Sequence, residues 1–148
     1  MAFSPGSDKL AIAQSDCMVF VYKLGADWGD KKSICNKFQH SNPITSLVWP
    51  TKRLNDLVYG LSDGKVKLGE MKTHKPSTLY QTESYVTAMC PNTSGNAVAI
   101  AHLDGSIYTY SFETPERGAR VIVRHNSIPF ALCWGASIAV AGTIQFLL

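Results

Sequence analysis

The stretch Leu57-Val-Tyr-Gly-Leu-Ser-Asp-Gly-Lys-Val-Lys-Leu68 decides the fold, because an Asp-Gly pair joins an apolar run to a second, alternating run. Asp-Gly readily adopts the positive φ angles that a two-residue β-hairpin turn requires. Apolar and β-branched residues that recur every second position are typical of strands. The stretch therefore predicts two antiparallel strands, at 57–61 and 65–69, joined by a tight turn.

This arrangement recurs along the chain. Four similar short segments end at Pro5, Pro50, Pro91 and Gly135, which are 45, 41 and 44 positions apart. Each of the first three precedes an apolar run, an Asp turn and a second run, and a period of 40–45 residues with this hairpin is typical of WD40 propeller blades. Because no long window shows a helical period, the sequence predicts an all-β fold. We expect a partial WD40 β-propeller of about three and a half four-stranded blades.

The repeat also predicts where blades and strands lie. Blade remnants are expected at about 1–39, 40–82, 83–126 and 127–148. Propellers usually close with four to eight blades, so we expect a fragment of a longer protein, with a half-propeller that pairs with itself or with another arc as the alternative. The predicted strands are 8–13, 17–23, 33–38, 44–49, 57–61, 65–69, 77–81, 85–90, 97–102, 106–112, 119–124, 130–134 and 137–142.

Composition and charge exclude several classes of function. Fourteen basic and eleven acidic residues give a net charge of +3, which is too small a bias to indicate a nucleic-acid-binding protein. Residues 128–148 carry no charge and are long enough for a membrane span, but their Pro, Gly and Ser residues favour two strands and a turn. No CxxC pair is present, so reduced, buried thiols are expected at Cys17, Cys35, Cys90 and Cys133.

No motif predicts catalysis. His102 with Asp104, and Cys133 with His125, do not have the spacing of a known nucleophilic site. Phosphate-loop, dinucleotide-binding and EF-hand motifs do not occur. We therefore expect a protein that is not an enzyme, with no cofactor, no metal and no small-molecule substrate. The alternative, a propeller hydrolase, would need two carboxylates that converge on the central channel, whereas the acidic residues here lie mostly in turns.

A polar loop at 27–32 is the place where we expect a partner to bind. Trp28 stands between Asp27 and Gly29, where a large aromatic ring has no evident core to fill. Lys31 and Lys32 follow it and provide positive charge for an acidic protein surface or an anionic lipid. Because tryptophan is enriched in interfaces, Trp28 is the first candidate for a partner contact, although it could also fold onto its own blade.

The repeats resemble the WD40 family, which carries Gly-His before the inner strand, Asp in the tight turn and Trp-Asp after the third strand. His40 and Asp63 match two of those places, whereas Asp104 lies in a repeat that has Glu83-Ser84 in place of the histidine. Tyr22, Gly69 and Tyr110 occupy the Trp places, so only part of the family's hydrogen-bond network can form. The expected structural turn residues are Asp16, Asp63, Gly64, Asp104, Gly105 and His40.

A closer resemblance is carried by residues 2–5, 21–23, 27–32, 34–38, 60–66, 82–86 and 102–105. Over roughly residues 1–142 the chain is similar to part of the N-terminal propeller of a WD40 subunit of the intraflagellar transport B complex, and Gly142–Leu148 depart from it. The resemblance implies a scaffold for cilium assembly and transport along the axoneme. It implies other B-complex subunits, and membrane lipid, as partners. It implies the cytoplasm and the cilium, including the basal body, as locations. A WD40 adaptor of coat or vesicle trafficking is the alternative.

Overall fold

The computed structural model describes residues 1–25 and 33–142, and the regular secondary structure of this part of the chain is almost entirely β-strand. One short 3-10 turn at Pro115–Arg117 is the exception. The strands are β1 (Ala2–Phe3), β2 (Lys9–Ala13), β3 (Met18–Lys23), β4 (Ser33–Gln39), β5 (Ile44–Val48), β6 (Asp56–Leu61), β7 (Lys65–Glu70), β8 (Lys75–Gln81), β9 (Val86–Pro91), β10 (Ala97–His102), β11 (Ser106–Ser111), β12 (Arg120–Arg124), β13 (Pro129–Trp134) and β14 (Ile138–Gly142). The all-β prediction is confirmed, and every predicted strand is present with its bounds within two residues of those expected.

The strands form four antiparallel sheets in which neighbours along the chain are neighbours in space. Sheet 1 contains β1 to β4, sheet 2 contains β5 to β8, sheet 3 contains β9 to β12, and sheet 4 contains β13 and β14. This repeated meander of four strands is the arrangement of propeller blades, and the structure is consistent with a partial propeller.

The core lies between successive sheets, and β6 shows why. Leu57, Tyr59 and Leu61 face sheet 1, where they pack in one apolar cluster with residues such as Phe38. Val58 faces the other way and packs in a second cluster with sheet 3. Successive side chains of a strand point to opposite faces, so a strand that is covered on both sides must be apolar at every position.

Each of the three complete sheets turns from its second to its third strand through one residue of positive φ. Gly64 has a φ of 89° and Gly105 a φ of 88°, as the Asp-Gly pairs predict. In sheet 1 the same place is taken by Cys17, with a φ of 64°. The three residues are equivalent, because their carbonyl oxygens accept hydrogen bonds from the backbone N–H groups of Thr82, His125 and His40, respectively. A side chain in this region of φ is strained, which glycine avoids.

The outer strand of each complete sheet carries a β-bulge. The register of β3 with β4 steps past Cys35, that of β7 with β8 past Leu79, and that of β11 with β12 past Ile122. A bulge leaves one residue unpaired and increases the local twist of an edge strand, which makes that edge a poorer template for pairing with another chain.

The uncharged segment at the end of the chain forms strands rather than a helix. β13 and β14 pair antiparallel, with Trp134 opposite Ile138, as the two-strand interpretation predicts. Within residues 1–25 and 33–142, no helix has the length and apolar character needed to cross a membrane. The four cysteines are free, as expected, but none is fully buried: Cys133 is exposed and the other three are partly so.

Candidate functional site

The Asp63 turn of sheet 2 is held by a compact set of polar contacts. One carboxylate oxygen of Asp63 accepts a hydrogen bond of 3.2 Å from the backbone N–H of Lys65. The other accepts one of 2.9 Å from the amide of Asn42 and lies 2.9 Å from the Lys65 ammonium. Burial alone would raise the pKa of Asp63, but the contacts with Lys65 outweigh it and leave the pKa below its ordinary value.

The Asp104 turn of sheet 3 repeats this geometry without the ammonium. Asp104 Oδ1 accepts hydrogen bonds from the backbone N–H of Ser106, at 2.9 Å, and from the Ser106 hydroxyl. Here too burial would raise the pKa, and the bonds from Ser106 lower it below the ordinary value. Asp16 lies in the corresponding turn of sheet 1, directly before Cys17.

His40 contacts a tyrosine rather than the Asp63 carboxylate. Its Nε2 lies 2.7 Å from the hydroxyl of Tyr59, and the two ring centroids are 5.1 Å apart. Burial lowers the pKa of His40, Lys67 lowers it further, and Asp63 acts in the opposite direction. Burial also raises the pKa of the Tyr59 hydroxyl well above its ordinary value, so both groups are neutral at physiological pH.

A second histidine network lies between sheets 2 and 3, and no sequence motif predicts it. His102, fully buried at the end of β10, places Nδ1 2.7 Å from the carbonyl oxygen of Ser84 and 3.1 Å from the hydroxyl of Thr82. A carbonyl can only accept, so Nδ1 carries the proton, and Nε2 accepts from the Tyr80 hydroxyl at 2.8 Å. Burial lowers the pKa of His102, which favours this neutral state. The available signal was a histidine at an inward-facing position of an apolar strand.

The histidine network supports a surface groove between sheets 2 and 3. The groove has a volume of about 520 Å³ and is lined by Ser62, Glu83, Ser84, Tyr85, Leu103 and Asp104. Tyr85 is 42% exposed and Leu103 47% exposed, so both present apolar surface at the groove. Of the predicted turn residues, Asp104 is the one that lines the groove. Exposed aromatic and aliphatic side chains within a polar rim are typical of protein-contact surfaces.

The two junctions between complete sheets are built differently. Between sheets 1 and 2, the ring of Phe38 lies against Gly69, and the buried amide of Asn36 donates a 3.0 Å hydrogen bond to the carbonyl oxygen of Met71. Between sheets 2 and 3, Val86 lies so close to Gly60 that an added Cβ would overlap it.

A charged side chain also joins sheets 2 and 3 at the other end of β6. The guanidinium carbon of Arg53 lies 4.4 Å from the centre of the Phe112 ring, a cation–π geometry. Arg53 also forms an ion pair with Asp56, and its carbonyl oxygen accepts a 2.9 Å hydrogen bond from the Trp49 indole. This contact closes the end of the junction opposite the groove.

The predicted partner-contact residues Trp28, Lys31 and Lys32 lie outside the described residues. No cluster of potential metal ligands occurs in the ranges 1–25 and 33–142. In those ranges, the structure brings His40 together with Tyr59, and it places Asp63–Gly64 and Asp104–Gly105 in separate turns of adjacent sheets.

Comparison with known proteins gives the relatives of this chain. No protein-family model matches it. It is 47% identical over 143 residues to the "Intraflagellar transport protein 172 homolog" of Mus musculus, and 48% identical over 149 aligned positions to "Intraflagellar transport protein 172" of Chlamydomonas reinhardtii. It is 41% identical over 114 residues to "Intraflagellar transport protein osm-1" of Caenorhabditis elegans.

These matches cover most of this chain and little of each relative. They include 95%, 96% and 77% of the chain, respectively, but only 8%, 8% and 6% of the relatives' length. The identity is 46% to 48% over 95% to 96% of the chain. Over nearly its whole length, the chain is a homologue of a short segment of the proteins named intraflagellar transport protein 172.

Proposed function

We propose that this chain contributes a non-catalytic protein-contact scaffold, part of a WD40 propeller, to the intraflagellar transport B complex. The observation that carries the proposal is the identity of 46% to 48% with intraflagellar transport protein 172 over at least 95% of the chain. In this role the chain supports cilium assembly and transport along the axoneme. Its partners are other subunits of the B complex, and membrane lipid is a second candidate partner.

The geometry supports a scaffold because the histidine side chains at the sheet junctions contact groups of the protein itself. His40 contacts Tyr59, and His102 contacts Tyr80 and the Ser84 carbonyl. A general acid or base needs a proton-carrying atom that can reach a substrate, whereas Nε2 of His40 and both ring nitrogens of His102 already have partners inside the protein. What the described surface does offer is an exposed groove with Tyr85 and Leu103, whose lining is suited to contact with a protein.

The proposal is tested by affinity purification of the protein from ciliated cells. The tagged chain is expressed, captured under mild conditions, and the co-purified proteins are identified by mass spectrometry. We expect intraflagellar transport B subunits to be enriched, and fluorescence of the tagged chain to be concentrated at the basal body and along the axoneme. The matched control is Gly105→Val, which places a branched side chain at a φ of 88° and against the His125 carbonyl.

Two outcomes would overturn the proposal. Enrichment of vesicle-coat proteins without transport subunits would favour the trafficking adaptor. Equal recovery of transport subunits with the folded chain and with Gly105→Val would show that the association does not depend on the folded sheets.

A further inference from the structure

We propose that the groove between sheets 2 and 3 binds a segment of a partner protein in which an apolar side chain adjoins a lysine or arginine. The proposal rests on the protein-contact function above and adds where the contact lies and what chemistry it recognises. The groove lies where the link from β8 to β9 meets the turn from β10 to β11. Both sheets that form it have four strands, so its walls are complete in the described structure.

The walls of the groove are fixed by hydrogen bonds below its surface. The backbone N–H of Leu103 donates to the carbonyl oxygen of Tyr85 at 2.8 Å. The N–H of Asp104 donates to the Ser84 hydroxyl at 3.0 Å, and His102 donates to the Ser84 carbonyl at 2.7 Å. Loop and turn are thus tied at three points, so little conformational entropy would be lost when a partner binds.

The preceding repeat shows that the fold does not require the apolar side chains of the groove. In sheet 2 the equivalent hydrogen bond runs from the N–H of Ser62 to the carbonyl oxygen of Pro43, at 2.9 Å. Ser62 there corresponds to Leu103, and Pro43 to Tyr85. The same backbone geometry therefore forms around a small polar residue and a proline, so the fold does not need a large apolar side chain at either place.

The charge of the groove is the second way in which this repeat differs. Asp63 has the Lys65 ammonium at 2.9 Å, but the residue equivalent to Lys65 after Asp104 is Ser106. Within residues 1–25 and 33–142, neither Asp104 nor Glu83 forms an ion pair. Arg124, on the neighbouring strand opposite Ser106, affects Asp104 only at longer range.

Two carboxylates beside two exposed apolar side chains define the partner by complementarity. The apolar surface of Tyr85 and Leu103 gives affinity, because burying it removes it from water. Glu83 and Asp104 give specificity, because a positive charge next to the apolar side chain is attracted and a negative one is repelled. An uncharged apolar segment would satisfy only half of the site, and an acidic one is disfavoured.

The experiment is a titration of the uniformly ¹⁵N-labelled 148-residue chain, observed by amide chemical shifts. The probe is the peptide acetyl-Gly-Lys-Leu-Lys-Gly-amide, and the control is its charge-reversed form, acetyl-Gly-Glu-Leu-Glu-Gly-amide. We expect the lysine peptide to shift amides at 62, 83–85 and 103–104, and the glutamate peptide to leave them in place. Added salt should weaken the binding, because exposed charges are screened.

The variants copy the preceding repeat into the groove. Leu103→Ser introduces the residue found at the equivalent position Ser62, and Glu83→Ser introduces the one found at the equivalent position Ser41. The backbone hydrogen bonds of the groove should therefore remain intact. We expect each variant to weaken binding of the lysine peptide by about fivefold, the effect of roughly 1 kcal/mol. Leu54→Ser is the matched control: Leu54 is 56% exposed and lies in the loop at the opposite end of β6.

Shifts outside the groove, equal binding of both peptides, or unchanged binding by Leu103→Ser would each overturn the proposal. The result is distinct from the test of the proposed function. Transport subunits that co-purify with the wild-type chain and equally with the folded Leu103→Ser variant would leave the scaffold role standing and remove the groove from it. Binding of the lysine peptide without co-purification of transport subunits would leave the groove as a binding site and overturn the scaffold role.

Discussion

The ring of Phe38 occupies the space that Gly69 leaves free, because a Cβ on Gly69 would lie 2.9 Å from Cε2 of that ring. Phe38 belongs to β4 of sheet 1, and Gly69 to β7 of sheet 2. Gly69 stands at the place where the WD40 repeat carries tryptophan, so the large side chain of this junction comes from the neighbouring sheet instead. Phe38 is 1% exposed, so its ring is fully buried at this junction.

Substitution of Gly69 by alanine should destabilise the protein. The added methyl group must displace a buried ring, and overpacking of this kind costs about 1–3 kcal/mol. The measurement is the midpoint of urea unfolding, followed by circular dichroism. Gly135→Ala is the control, because a Cβ there meets nothing within 4 Å. An equal midpoint for the two variants would contradict the packing of Phe38 on Gly69.

Cys17→Gly should make the protein more stable, which is unusual for a substitution by glycine. Cys17 has a φ of 64°, a conformation that strains any residue with a side chain. Relief of that strain, partly offset by the greater freedom of glycine in the unfolded chain, should raise the free energy of unfolding by up to about 1 kcal/mol. Gly105→Ala, at the equivalent place in sheet 3, should have the opposite effect. Thermal melting of both variants tests the pair, and a lower melting temperature for Cys17→Gly would refute the explanation.

Stability should fall as the pH drops below the ordinary histidine pKa. The pKa of His102 is lowered in the folded protein, so the unfolded chain binds a proton first, between about pH 6.5 and the lower, folded pKa. The contribution is fully present above pH 6.5 and is lost as the pH falls through that window. His40, whose pKa is also lowered, acts in the same direction. The lowered carboxylate pKa values of Asp63 and Asp104 affect stability only near and below pH 4.

The substitution His102→Leu shows how much of this pH dependence of stability comes from His102. Leu61 occupies the equivalent position in sheet 2, so the side chain fits the strand, although the Ser84 carbonyl loses its donor. We expect a lower free energy of unfolding at pH 7.5 and a smaller change between pH 7.5 and 5.5. Urea denaturation at the two pH values gives both quantities. If the variant keeps the wild-type pH dependence of stability, that dependence does not come from His102.

Arg53→Met should weaken the junction between sheets 2 and 3. The variant keeps most of the apolar stem but loses the cation that lies 4.4 Å from the centre of the Phe112 ring, together with the ion pair to Asp56. We expect a loss of about 1 kcal/mol from the two contacts together. Lys52→Met, at the adjacent exposed residue, is the control and should leave the urea midpoint almost unchanged. Similar losses in both variants would mean that the contact with Phe112 does not stabilise the junction.

Trp28→Ala and the double variant Lys31→Glu/Lys32→Glu test the partner contact predicted from the sequence. If this loop binds a partner, each variant should recover fewer transport subunits in affinity purification while its thermal melting is unchanged. Unchanged recovery would exclude the loop as a contact. A lower melting temperature for Trp28→Ala would instead indicate that Trp28 packs onto its own blade.

The strands could be predicted because each depends on local features of the sequence. Alternation of apolar residues, as in Ile107–Tyr110, identifies a strand, and Asp104-Gly105 identifies its turn. The repeat then places thirteen strands within two residues of their observed bounds. The bulges in the outer strands were not predicted, because a one-residue step in pairing depends on the partner strand rather than on local composition.

The histidine network and the groove could not be predicted in the same way. Tyr80 and His102 are 22 positions apart, and their contact exists only because sheets 2 and 3 pack together. Leu103 is an apolar residue next to a turn, and nothing local to it indicates whether a neighbouring sheet covers it. Comparison with Ser62 of the preceding repeat was the available signal, and it has meaning only once the two turns are aligned in space.

The unlike junctions have a consequence for how such a gene can change. Tandem repeats of similar length invite unequal recombination, which would delete or duplicate one blade in frame. Loss of residues 40–82 would place Tyr110 where Gly69 now lies beside Phe38, so the new junction would have to pack two rings, as Tyr80 and Tyr110 do between sheets 2 and 3. A change in repeat number would therefore require repacking of side chains at the new junction, which the regular period of the sequence does not reveal.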